Sequence, residues 1–150
     1  MRAALVILCA LILQASLTAR AQAAQVCAWI IESVEDDGTH MFDLNLGADA
    51  PASVSVRFAG DGFITGAMGG RLIDLQPGET QNVAGEGFDV SPGDDVGFDV
   101  QLFDRPLASL EEARRPATAP LAHFVFHRKV GEGERAPPTE LAARQCKPLG

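Results

Sequence analysis

Val96-Gly97-Phe98-Asp99-Val100-Gln101-Leu102-Phe103 decides the fold of this 150-residue chain. Its apolar residues Val96, Phe98, Val100 and Leu102 recur at every second position, opposite Gly97, Asp99, Gln101 and Phe103. That period belongs to a strand with one buried face, because successive side chains of an extended backbone point to opposite sides. Working outward, Val26 to Val34 repeats the pattern, with Ala28, Ile30 and Val34 on one face and Cys27, Trp29 and Ile31 on the other. Phe42, Leu44 and Leu46 follow on a second strand, and Ala52, Val54, Val56 and Phe58 on a third that turns Ser53, Ser55 and Arg57 outward.

Turn chemistry separates these runs. Glu35-Asp36-Asp37-Gly38, Gly47 to Pro51, Gln76-Pro77-Gly78-Glu79 and Ser91-Pro92-Gly93-Asp94 supply the preset φ of proline and the positive φ open to glycine. Gly60-Asp61-Gly62 breaks the third strand, and Gly66, Gly69 and Gly70 predict a bulged or split segment over Phe63 to Leu75. Thr80 to Ala84 is a short strand, followed by the apolar pair Phe88 and Val90. Leu107 to Arg115 reads as two helical turns before Pro116, Leu121 to Val130 as a last strand, and Gly131 to Gly150 as a polar tail. About seven short antiparallel strands in one domain's length of chain predict an all-β, immunoglobulin-like β-sandwich. The antibody-type Cys…Trp…Cys framework is missing, since Cys27 and Cys146 lie near opposite ends of the domain.

The N-terminal stretch places the domain in the cell. Arg2 gives a short positive region, Ala3 to Leu13 an apolar run too short to span a bilayer comfortably, and Ala21-Gln22-Ala23 an A-x-A cleavage site. Met1 to Ala23 therefore reads as an export signal, with an uncleaved anchor helix as the competing reading, and residues 24–150 as one exported domain. Leu8 before Cys9 argues against lipidation, which needs a small residue there. Of the 12 basic residues, Arg2 and Arg20 leave with the signal, so 10 remain against 20 acidic ones and the exported charge is −10. Such a balance argues against nucleic acid or an anionic membrane as partner. Two cysteines remain, in an oxidising compartment and without a C-x-x-C spacing, which predicts a structural Cys27–Cys146 disulfide. Closing so long a loop is worth roughly 4–5 kcal/mol in the chain-entropy treatment.

Chemistry-bearing constellations are sparse. His123 and His127 share a face of the last strand, but four residues of extended chain hold them too far apart to share one zinc ion easily, and His40 lies elsewhere. The acidic turns at Glu35 to Gly38, Gly60 to Gly62 and Gly93 to Asp95 offer oxygen ligands to calcium, yet none has the D-x-D-x-D-G spacing, and Asp and Gly are also what hairpin turns require. No serine occupies a nucleophile elbow, and the glycine-rich segment lacks the Lys-Ser/Thr of a phosphate loop. The expectation is a non-enzymatic protein without metal or cofactor. Ser53, Ser55 and Arg57, with Arg71 on the glycine-broken segment, form a locally non-acidic patch and are the candidate binding residues; the plain alternative is a solvated sheet face.

The order of motifs from Glu32 to about Ser109 resembles the CsgC/CsgH group, periplasmic proteins of the curli amyloid system. The resemblance rests on a turn ending at Gly38, a strand running into Gly47 to Pro51 and the Ser53-Val54-Ser55 segment. A glycine-rich stretch, Leu72 to Leu75 with its Gln76-Pro77-Gly78 turn, Phe88-Asp89-Val90-Ser91 and the Val96 to Asp104 strand follow in that group's order, covering somewhat over half of the exported chain. It implies a periplasmic, monomeric, chaperone-like inhibitor whose partner is a curli-type amyloid subunit, kept from polymerising before secretion. The Cys-x-Cys of the CsgC branch is replaced here by Ser53-Val54-Ser55, which removes a redox role at that place and points to the CsgH branch. Leu107 to Gly150, with Cys146, is either additional to the group's pattern or divergent from it, and the resemblance assigns it no role. The competing expectation is an envelope binding or structural module of the same fold.

Overall fold

The computed structural model describes residues 23–60, 63–64, 71–109, 111–112, 118–131, 136–140 and 144–149. The export signal falls on residues outside this set except for Ala23, as do Asp61, Gly62 and the glycines at 66, 69 and 70. Ten strands are described: β1 Gln25–Val34, β2 His40–Ala48, β3 Ala52–Gly60, β4 Phe63–Ile64, β5 Ile73–Leu75, β6 Thr80–Phe88, β7 Asp95–Phe103, β8 Ala122–Lys129, β9 Ala136–Glu140 and β10 Gln145–Pro148. All strand pairs are antiparallel. One sheet runs β10-β1-β2-β6, with β9 also on β1; the other runs β4-β3-β7-β8, with β5 also on β3. The two form an immunoglobulin-like β-sandwich.

The alternating residues of the sequence meet between these sheets. Ala28, Ile30, Phe42, Leu44 and Leu46 from the first sheet face Val54, Val56, Phe58, Val96, Phe98, Val100 and Leu102 from the second, all buried in one cluster. Phe98 is its hub, with ring centroids 4.9 Å from Phe42, 5.5 Å from Phe58 and 5.9 Å from Phe88. Tight turns deliver the strands: Gly38 and Gly93 take φ of 86° and 96°, which side chains rarely tolerate.

The segment from Phe63 to Leu75 is split, one of the two forms expected of it, its ends forming β4 and β5 on different stretches of β3. Two expectations change. Thr80 to Phe88 is one strand rather than a strand and a separate pair, with a register shift opposite Leu44 and Asn45 that leaves both Val83 and Ala84 buried. Within Leu107 to Arg115 only Glu111 and Glu112 are helical among the described residues, while Leu107, Ala108 and Ser109 are irregular. Leu107 instead covers outward-facing Phe103, and the two form a small buried cluster of their own. The loop is tied down by Glu112, which accepts from the Ala108 amide at 2.5 Å and pairs with the Arg105 guanidinium at 2.5 Å. Those two donors hold the Glu112 carboxyl below its ordinary 4.5.

The polar tail also differs from expectation, because it contributes two strands. β9 and β10 line the free edge of β1, and Cys146 lies directly opposite Cys27 in the register and is disulfide-bonded to it.

Truncating Phe98 to alanine removes the ring at the meeting point of three others and is expected to cost about 3–5 kcal/mol in urea unfolding. In a proton NMR titration the Ala108 amide is expected to report Glu112 with a midpoint below 4.5; the loop contact is present above the ordinary carboxylate range and lost as pH falls through the folded-state value.

Candidate functional site

The four residues of the non-acidic patch do not assemble into an open basic surface. Ser53 is exposed, but its hydroxyl donates to Asp74 across the β3–β5 pair at 2.5 Å. Ser55 points outward from β3 yet is fully buried, because the loop after β7 folds over it and accepts its hydroxyl at the Arg105 carbonyl, 2.5 Å away. Arg57 is mostly covered, with 15% of its side chain accessible, and its guanidinium lies 3.6 Å from the Asp99 carboxylate. Arg71 is exposed just before β5. Ser55 is therefore withdrawn from any binding surface, and Arg57 has its charge compensated.

Asp99 also meets His123, at 3.0 Å from Nε2, so Arg57, Asp99 and His123 form a row across β3, β7 and β8. His123 and His127 are both exposed, flanking exposed Val125. Among the described residues no group of three or more His, Cys, Asp or Glu is placed to hold a metal ion. Two of the acidic turns use a carboxylate on their own backbone: Asp94 accepts from the Ser91 amide at 2.8 Å, and Asp37 from the Thr39 amide at 2.9 Å; Asp61 of the third lies outside the described residues. That bond, with Thr39, holds the Asp37 carboxyl below its ordinary value.

The sequence reading missed a buried polar bridge. Glu32 and His40 occupy core-phase positions on β1 and β2, in line with Ile30 and Phe42, and both are buried. Glu32 Oε1 lies 2.9 Å from His40 Nδ1, while Arg128 Nε on β8 donates to Glu32 Oε2 at 3.0 Å. One carboxylate thus links the two sheets at the end of the sandwich where β1 runs into its turn. The signal was legible: a charged residue in the inward phase of an apolar alternation must find a partner or not be buried at all.

On the outer face of the first sheet, Trp29 is almost fully buried beside Gly47, and the Arg144 guanidinium lies 3.9 Å from the indole centroid. A hollow of about 210 Å³ opens there between Cys27, Trp29, Asp49, Glu79, Thr80 and Arg144.

The sheet edges are treated unequally. β8 ends its sheet, but its carbonyls at His123 and Val125 are taken by Lys147 and by Gln145 at 2.8 Å, both from β10. β6 ends the other sheet, and its far side pairs with no described strand. Two of its glycines lie under β2 side chains: a Cβ on Gly85 would meet the Asp43 carboxylate at 2.5 Å and one on Gly87 the Met41 sulfur at 2.9 Å. Glycine there leaves room for Asp43 and Met41 to lie across the strand.

Replacing Glu32 by alanine leaves His40 buried without its partner and is expected to lower stability by about 2–4 kcal/mol in urea unfolding, well beyond the effect of a surface carboxylate. No protein-family model, no curated protein and no solved structure matches this chain.

Proposed function

We propose that the protein is an exported, chaperone-like inhibitor of amyloid assembly of the curli type, which engages extended client strands at the open edge of β6. The observation that carries this reading is the far side of β6 from Thr80 to Gly87, which pairs with no described strand, set against a β8 edge whose carbonyls at His123 and Val125 accept from β10 side chains. Amyloid grows when strands add to an exposed edge, and a protein that interrupts growth must offer an edge without offering a template. β6 meets both requirements. Strand addition on its far side draws affinity from main-chain hydrogen bonds rather than from a deep apolar groove. Its register shift near Val83 divides the edge into short runs, so a bound strand pairs over only a few residues before twist carries it away.

Weak pairing of this kind suits a client rich in Gln, Asn and Gly, and suits action on rare nuclei at low molar ratio. The edge takes precedence over the patch of Ser53, Ser55, Arg57 and Arg71 because Ser55 is buried and Arg57 faces Asp99. The disulfide fits an oxidising compartment such as the periplasm. A second reading, a non-enzymatic envelope binding module, is favoured by the hollow beside Trp29 and Arg144.

Fibril growth of a curli-type subunit, followed by thioflavin fluorescence, tests the proposal. A small molar fraction of the protein is expected to extend the lag phase, where an unrelated acidic sandwich protein does not. The pair Thr80→Lys and Asn82→Lys is expected to abolish the extension, since edge lysines oppose strand addition. The pair Arg57→Glu and Arg71→Glu is expected to retain it. Unchanged kinetics with the unmodified protein at every ratio would sink the inhibitor reading, and activity lost in the arginine pair but kept in the lysine pair would move the site to the patch.

A further inference from the structure

The hollow on the outer face of the first sheet is lined by donors from one direction and acceptors from another. The donors belong to the β10 and β1 side. Trp29 is only 3% exposed, and its indole N–H meets no acceptor among the described residues. The Arg144 guanidinium lies over that ring, 3.9 Å from its centroid, and such a group carries five N–H donors. The acceptors come from the end of β2 and the turn before β6. Asp49 exchanges two bonds with the first residue of β1: its amide donates to the Gln25 carbonyl at 3.1 Å, and its Oδ1 accepts from the Gln25 amide at 2.6 Å. The carboxylate is thereby anchored, and its Oδ2 has no partner among the described residues. Glu79 follows Gly78, whose φ is 78°, in a turn pinned to β2 where the Gly78 amide donates to the Ala48 carbonyl at 3.4 Å. The Glu79 carboxylate also has no partner among the described residues. Gly47 lies between the two sides, and a Cβ there would stand 3.4 Å from both the Trp29 ring and the Glu79 carbonyl.

We propose that this hollow is a binding site for a primary carboxamide, the side-chain group of glutamine and asparagine, presented by a partner polypeptide. A carboxamide offers one acceptor oxygen and two N–H donors. Its oxygen accepts from the indole N–H and from Arg144, and its NH2 donates to Asp49 and Glu79. Charge separates this ligand from its competitors. Two carboxylates and one guanidinium line the hollow, so an incoming carboxylate is repelled, and the chain's net charge of −8 adds to the repulsion. An ammonium or guanidinium is drawn to Asp49 and Glu79, but it lies beside the like charge of Arg144 and offers nothing to the indole N–H. A neutral amide satisfies both sides, and taking it out of water costs far less than taking out an ion. The volume of about 210 Å³ is below the range of about 300–1,000 Å³ for whole small molecules, which suits a single side chain. The hollow reaches Thr80 at the head of β6, so a chain lying across this end of the sheet has its side chains within reach of it. This inference goes beyond the reading of β6 and does not depend on it; it gives the hollow of the second reading an occupant.

Trp29 is the chain's single tryptophan, so one indole N–H cross-peak reports the hollow in a proton–nitrogen NMR spectrum. Titration with the blocked peptide acetyl-Gly-Gln-Gly-N-methylamide is expected to move that cross-peak and the Thr80 amide to saturation. A Kd on the order of millimolar is expected, as a contact of a few heavy atoms allows. Counterparts with Glu, Lys or Met in place of Gln are expected to move neither at the same concentrations. Glu79→Gln, and Asp49→Asn, which keeps an oxygen for the Gln25 amide, are each expected to weaken the Gln peptide about tenfold. Both are expected to leave the rest of the ligand-free spectrum in place. Gly47→Val, which puts a side chain into the hollow, is expected to abolish binding. No movement with the Gln peptide would overturn the proposal, and so would undiminished binding in all three variants. A Lys peptide that binds as tightly as the Gln peptide would overturn it in favour of a cation site. Binding of butyramide without binding of the Gln peptide would overturn the polypeptide as the source of the amide. No client or fibre enters these titrations, so their failure leaves the reading of β6 standing.

Discussion

Phe98 touches rings from both sheets, and the rest of the molecule is arranged around that meeting. Phe42 and Phe88 come from one sheet and Phe58 from the strand next to Phe98 in the other, so a single aromatic layer fixes the spacing and relative slide of the two. Aromatic pairs prefer offset or edge-on contact, and the arrangement contains both a stacked pair and two T-shaped ones. Because a one-residue slip of any strand would turn its apolar set to solvent, this layer also fixes the register of β2, β3 and β7. Once those are set, the outward side chains and the edges have no freedom left to move independently of the core.

Where the sequence was legible, that layer is the reason. β2, β3 and β7 each bury one face under the opposite sheet, so their alternation is strong and their boundaries follow from it. β10 buries almost nothing that patterning can detect, and the sequence of β9 has no apolar alternation. Their extended form comes from the free edge of β1 and, for β10, from the disulfide, and neither leaves a period in the composition. Ser55 and Arg57 show the complementary failure. Alternation correctly turned them away from the core, but exposure also depends on what folds over the outer face, and Phe103 with Leu107 recruits a loop to that place. Glu32 and His40 were legible in principle, because each stands in the inward phase of an apolar strand.

Electrostatics follow the same division between core and surface. Arg57 faces Asp99, Arg105 faces Glu112 and Arg128 faces Glu32, so several of the chain's basic residues serve as internal partners of carboxylates. The acidic excess of the chain is left to the turns and outer faces. Long-range attraction is thereby reserved for partners that carry positive charge, and contact with a neutral, amide-rich strand must rest on backbone pairing.

The Cys27–Cys146 bond joins two strands that are direct neighbours, yet 119 residues of chain separate them. Mechanically this makes a short circuit. Tension applied between Ala24 and Leu149 passes from one terminal strand to the other through the sulfur atoms, and the sandwich between them carries no load. A pulling machine that grips either end of the described fold therefore meets a covalent stop after a few residues. Extraction or threading of the oxidised protein has to proceed as a closed loop, with two strands of chain abreast.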